Sequence, residues 1–325
     1  MNGHAATVRD LARQRRLRRL ELTVNRRLDG LLHGRYLGLL PAPGSEPAGS
    51  REYRPGEDEV RRMDWSVTAR TTVPHVRTVE ADRELTTWAL VDATPSMDFG
   101  TAELEKRELA VAAVAAVGFL TAGLGNRLGA HLLTNDGVRR FPARTGRTPL
   151  LGLLRTLLDV PRGVPATAPV SLADGLAGLH RSARRRGLVV VVSDFLDGLP
   201  DDGVAGASGA PPDWERPLRR LAARHQVLAV AVSDPREREL PDVGLITLVD
   251  PESGRRREVS TSSRRLRERY AAAAAAQRLA VARAVRRSGA AYLPLSTERD
   301  WVADIVRHVF VQRRLAGAAR PGGAA

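Results

Sequence analysis

The stretch TTWALVDATPS, residues 86–96, decides the fold. Thr87 to Val91 is short, β-branched and aliphatic between polar residues, the form of a strand buried on both faces of a sheet. It runs into Asp92, and a turn follows. Two further segments repeat the arrangement: Leu188 to Ser193 leads into Asp194, and Val227 to Ser233 into Asp234. A fourth strand is expected over Ala290 to Leu295. Helical patterns lie over Glu103 to Leu124, Pro149 to Leu158, Leu172 to Arg185, Trp214 to His225, Ser263 to Arg287 and Asp300 to Leu315. Strand alternating with helix predicts a doubly wound α/β fold, a mostly parallel sheet with helices on both faces. Leu128 to Thr134 and Val138 to Ala143 flank Asn135-Asp136-Gly137, a tight-turn signal, and predict an antiparallel hairpin at one edge.

At 325 residues the chain suffices for one large domain and an appendage. We expect an amino-terminal segment over 1–85 with a basic helix and extended strands, the α/β domain over 86–312, and a disordered tail over 313–325. Leu40 to Ser50 and Asp197 to Asp213 are loops by composition. The absence of cysteine excludes thiolate metal sites, cysteine nucleophiles and disulfides. The opening residues lack the apolar core of a signal peptide, so a cytoplasmic protein is expected. The apolar run from Leu109 to Gly125 is Ala- and Gly-rich, follows Lys106, Arg107 and Glu108, and sits between two strands. It reads as a helix buried against the sheet, not a membrane span.

The formal charge is +14, with 51 Lys and Arg residues of which Lys106 is the single lysine. The arginines are spread over every helix with acids among them, densest at Arg15 to Arg19, Arg184 to Arg186, Arg255 to Arg257 and Arg264 to Arg269. With 4% aromatic residues there is little on which bases could stack. Solvated helix faces are the better reading than a nucleic-acid surface.

In a parallel sheet, ligands gather where the strands end. Asp92-Ala93-Thr94-Pro95-Ser96 puts a carboxylate and two hydroxyls at alternate positions after a buried strand, and Asp194 adds a carboxylate from the next one. Magnesium, a hard ion that takes six oxygens and keeps several waters, suits such a set. The same residues also read as a helix cap and a proline turn. Asp98 and Asp234 face the same rim, where a partner would bind, and Asp234 is placed to close a turn before Pro235.

Asp92-x-Thr94-x-Ser96 together with Asp194 resembles the metal-ion-dependent adhesion site of von Willebrand factor A domains. The resemblance implies that Thr94 and Ser96 bind magnesium directly, that the aspartates act largely through water, and that an acidic side chain of the partner completes the shell. It also implies a threonine from a loop before a helix, for which Thr167 or Ser171 is the candidate.

A longer pattern covers nearly the whole chain: Arg51-Glu52-Tyr53-Arg54-Pro55-Gly56, Arg61-Arg62-Met63-Asp64-Trp65, Ala69-Arg70, Arg83-Glu84-Leu85, Ser193-Asp194-Phe195 and Ser233-Asp234-Pro235-Arg236-Glu237. It is similar to the family called domain of unknown function 58, built on the von Willebrand A-like fold. That resemblance implies a non-enzymatic, chaperone-like interaction module acting with a MoxR-type AAA+ ATPase on a client protein. On physical grounds Pro55-Gly56 is a turn, Trp65 is expected to anchor in the core, and Asp64 is expected to pair with Arg70 or Arg77.

Two other functions remain as alternatives. One is an arginine-rich binder of nucleic acid or acidic surfaces; the other is a metal-dependent phosphoester hydrolase using Asp92 and Asp194. Against enzymes stands the absence of a phosphate-binding Gly-x-x-x-x-Gly-Lys loop, of His-Glu-x-x-His and of Gly-x-Ser-x-Gly. His75, His131, His180 and His225 have no ligand spacing and read as packing or surface residues.

Overall fold

Alternation of side chains along β3 (Thr86–Asp92) sorts the domain into two layers. Ala89 and Val91 point to one face of the sheet and Leu90 to the other. The same alternation runs through β6 (Leu188–Ser193) and β7 (Gln226–Ser233), whose even-numbered positions join the first layer and odd-numbered ones the second. Burial on both faces is why these strands are almost unbroken aliphatic runs.

In this computed structural model, residues 18, 22, 26, 27, 50–54, 60, 63–77, 86–102, 104–121, 126–162, 170–199, 210–250 and 254–318 are described. Three further strands, β4 (Arg127–Thr134), β5 (Gly137–Thr145) and β10 (Ala291–Ser296), complete the main sheet. Its six strands run in the order β10-β7-β6-β3-β4-β5. All neighbours are parallel except β4 and β5, the hairpin expected at Asn135-Asp136-Gly137. Gly137, at φ 118°, supplies a backbone conformation that side chains disfavour.

On the first face lie α2 (Lys106–Thr121), α3 (Arg147–Asp159) and α7 (Trp301–Ala318). On the second lie α4 (Leu172–Ser182), α5 (Glu215–Ala222) and α6 (Arg264–Arg287). The doubly wound, mostly parallel α/β fold expected from the sequence is the one observed. The Ala-rich run is α2, buried on nearly all sides, and no described helix is long and apolar enough to cross a membrane. Its small residues let a neighbour approach closely: a Cβ on Gly118 would stand 2.5 Å from Leu150 of α3.

Before the domain, β1 (Ser50–Glu52) pairs antiparallel with β2 (His75–Arg77), and α1 (Trp65–Thr71) lies between them in sequence. Tyr53 N donates to Pro74 O at 2.8 Å, continuing that pairing. Asp64 caps α1, accepting from Ser66 N at 3.1 Å and Val67 N at 3.3 Å, and Arg70 Nε donates to Ser66 O. The expected core role of Trp65 is corrected: its side chain is 66% exposed, on the outer side of the helix that Asp64 starts. Pro55, Gly56 and Arg61 lie outside the described residues.

One pair of strands was not expected. β8 (Leu245–Val249) and β9 (Arg256–Ser260) form a separate antiparallel ribbon. Leu245 and Val249 are mostly exposed there, so the apolar pattern marks no buried face, and burial is what pattern reading detects. At the other end α7 continues to Ala318, past the expected boundary at 312, and residues 319–325 lie outside the described residues.

Candidate functional site

Strands β7, β6 and β3 are neighbours, so Asp234, Asp194 and Asp92 stand side by side at their carboxyl ends. Asp92 is 4% exposed. Its Oδ1 accepts from Thr94 N at 3.0 Å and Thr94 Oγ1 at 2.6 Å, and its Oδ2 accepts from Ser193 Oγ at 2.7 Å. Burial, then repulsion from Asp194, holds the Asp92 carboxyl above the usual carboxylate range, and these hydrogen bonds only partly offset it. Thr94 Oγ1 and Ser96 Oγ lie 3.3 Å apart at the start of a short 3-10 turn, Pro95–Met97.

Asp194 faces a cation contributed by the chain itself. Lys106 Nζ, on the first residue of α2, lies 2.8 Å from Asp194 Oδ2 and 2.6 Å from Glu237 Oε1. The lysine is fully buried. Burial lowers its pKa, but Asp194 and Glu237 more than offset that and leave the ammonium above its ordinary range. Burial likewise pushes Asp194 up, and Lys106, with hydrogen bonds from Leu196 N and the Ser96 hydroxyl, more than reverses it, so Asp194 stays ionised below the usual carboxylate range. Removing one partner of such a buried pair costs about 3–5 kcal/mol, because the other charge is left uncompensated.

Arg107, next in the chain and also buried, donates to Val160 O at 2.8 Å and Ala93 O at 2.9 Å and pairs with Asp98 Oδ1 at 2.7 Å. Its fork fixes the loop after β3 to the loop after α3. Asp98, expected on an open rim, is tied down by this pairing.

Asp234 also departs from expectation. It is fully buried, so it cannot meet a partner. Four donors explain why: Thr101 N at 2.8 Å, Thr101 Oγ1 at 2.6 Å, Thr297 Oγ1 at 2.7 Å and Arg236 N at 2.9 Å. The turn expected before Pro235 is there, with Glu237 Oε2 accepting from Asp234 N to complete a capping box. Ser171 caps α4, accepting from Asp174 N and donating to Asp174 Oδ2. Thr167 lies outside the described residues.

Magnesium needs six oxygens near 2.1 Å, with adjacent ones about 3 Å apart. The Thr94 and Ser96 hydroxyls come near that spacing. Asp194 does not fit as a direct ligand, because its Oδ2 already holds an ammonium, its Oδ1 accepts from Leu196 N at 3.1 Å, and the Ser96 hydroxyl also donates to it. Among the described residues no group of three or more His, Asp or Glu side chains is placed to hold a metal. Asp194 thus meets a buried lysine first, and a magnesium ion at Thr94 and Ser96 would have to share that carboxylate or reach it through water.

Lys106, Arg107 and Thr101 were not read as site residues from the sequence, and Ser193 and Glu237 entered only as part of the family pattern. Two signals were available: a single lysine among 51 basic residues, and a Glu three positions after Asp234, the spacing of a capping box. At the same rim Phe99, between Asp98 and Gly100, is 39% exposed.

The family described as "Protein of unknown function DUF58" matches residues 49–280. An uncharacterised protein of Mycobacterium tuberculosis strain H37Rv is 55% identical over 298 residues, 92% of this chain and 89% of that one. An uncharacterised protein of Mycobacterium avium is 47% identical over 181 residues, 56% of this chain and 98% of that one. Among solved structures, the conserved hypothetical protein BatB of Bacteroides thetaiotaomicron aligns with a TM-score of 0.43 at 11% identity, covering 71% of this chain and 99% of that one. The SpRpn10 VWA domain aligns with a TM-score of 0.37 at 10% identity, covering 69% and 94%.

Proposed function

The chain belongs to the DUF58 family, and from that premise we propose that it is a non-enzymatic protein-interaction module. In this reading it works in the cytoplasm with a MoxR-type AAA+ ATPase in the assembly or maturation of a client protein. The observation that carries it is the contrast at the rim. Asp92, Asp194 and Asp234 are buried and hydrogen-bonded, whereas Phe99, in the loop after β3, stands open. A hydrolase would need one of these carboxylates facing its substrate; a docking face needs an aromatic side chain framed by polar groups. Thr94 and Ser96, in the same loop, are half-buried.

The test is direct binding between the purified chain and a purified MoxR-type ATPase of the same host, read by biolayer interferometry with and without nucleotide. A saturable complex weakened at least several-fold by Phe99→Ala is the expected result. Absence of a complex in both nucleotide states would overturn the partner, and turnover of a phosphoester abolished by Asp92→Ala would overturn the non-enzymatic reading.

A further inference from the structure

We propose that the ε-ammonium of Lys106, which bridges Asp194 and Glu237, is the resident cation of this rim and does there what a bound metal ion would, so that the rim is assembled without metal. The inference goes beyond the docking role and holds whichever partner binds, because it rests on the geometry of the buried charges alone.

Three observations lead to it. The first is position. Lys106 begins α2 and its ammonium reaches both Asp194, after β6, and Glu237, after β7. A helix start is thereby joined to two adjacent strand ends, as a bound ion would join them. The second is charge. Asp194 and Glu237 both reach the ammonium, and Asp194 lacks the full set of neutral donors that satisfies Asp234, so its burial calls for a cation. Lys106 supplies one that no chelator can remove.

The third is the choice of side chain. Every other basic residue of the 51 is arginine. An ammonium is a compact point charge with three donors, the organic group most like a metal ion, whereas a guanidinium is a planar fork. The neighbouring position shows the difference, since the fork of Arg107 spans two carbonyls and Asp98. The one lysine therefore stands where a small, spherical charge is wanted.

The experiment measures manganese binding by electron paramagnetic resonance, and thermal melting with and without magnesium, on the full chain and on Lys106→Met. Met keeps the length of the side chain and removes the charge. The wild type is expected to bind no manganese and to melt at the same temperature in magnesium or chelator. Lys106→Met is expected to melt lower and to recover part of the loss as it takes up one manganese ion. A wild-type protein that binds one manganese ion at sub-millimolar concentration overturns the proposal, and that arm decides even where the variant does not fold. A folded Lys106→Met that ignores both metals overturns the claim that the ammonium stands in for an ion. Neither arm involves a partner, so failure of the docking role leaves this test intact.

Discussion

Ser193 Oγ donates to Asp92 Oδ2 at 2.7 Å and accepts from Phe195 N at 3.0 Å, so one hydroxyl joins the ends of β6 and β3 and holds the turn that follows β6. Phe195 sits at φ 60°, in the left-handed region, which costs a residue other than glycine roughly 1–2 kcal/mol. Packing offsets this: Phe195 is fully buried, edge-on to Trp214 at 5.2 Å between ring centroids. The Ser-Asp-Phe sequence is thus a structural clasp whose middle residue holds Lys106.

Ser193→Ala deletes the clasp while keeping the packing. It leaves Asp92 Oδ2 and Phe195 N without this buried partner, and we expect a loss of about 2–3 kcal/mol in urea unfolding. A change within about 0.5 kcal/mol, the range of an ordinary surface substitution, would refute the clasp.

Asp234 predicts the acid limb of stability. Burial raises its pKa, and the donors from Thr101, Arg236 and Thr297 more than reverse this, so its folded value lies below the ordinary one. Its contribution is complete above the unfolded carboxylate value of about 3.9 and is lost as pH falls through the depressed folded value. Asp92 has the opposite sign: its raised carboxyl protonates first, which relieves repulsion from Asp194. Asp234→Asn is expected to lower stability at neutral pH by roughly 2–4 kcal/mol, since an amide turns donors toward donors. It should also flatten the melting temperature's fall in acid relative to wild type.

His131 gives a second pH signature. It is buried edge-on to Trp88, with ring centroids 6.0 Å apart, and its Nε2 lies 3.1 Å from Ser182 Oγ. Burial first, then Arg140 and Arg181, pull its pKa down to about 4. The folded protein therefore holds the neutral ring where the unfolded chain would protonate it, and this stability is present above about 6.5 and lost as pH falls toward the folded value. Ring-proton NMR should show one histidine titrating near 4, absent in His131→Leu. A midpoint near 6.5 would contradict the burial.

Trp65 and Phe99 should both be silent in stability. Trp65→Ala, on the outer side of α1, is expected to change unfolding free energy by less than about 1 kcal/mol, whereas a core tryptophan would cost about 3–5 kcal/mol. Phe99→Ala should melt nearly as the wild type does while weakening capture of the ATPase, which separates a docking residue from a packing one.

The sequence by itself determined the domain's layers. Aliphatic runs at Thr87 to Val91, Leu188 to Ser193 and Val227 to Ser233 fit only a sheet covered on both faces, and their terminal aspartates had to meet at one rim. Period and burial are local properties, so they survive in the one-dimensional text. The ribbon of β8 and β9 was not legible, because its apolar residues face solvent. Only the tertiary structure decided what the rim is. Lys106 lies 88 positions from Asp194 and 131 from Glu237 in the chain, and a pairing across that distance follows from how α2 docks on the sheet. The sequence placed two carboxylates and two hydroxyls where a metal would suit them, and the fold brought a lysine to one of those carboxylates.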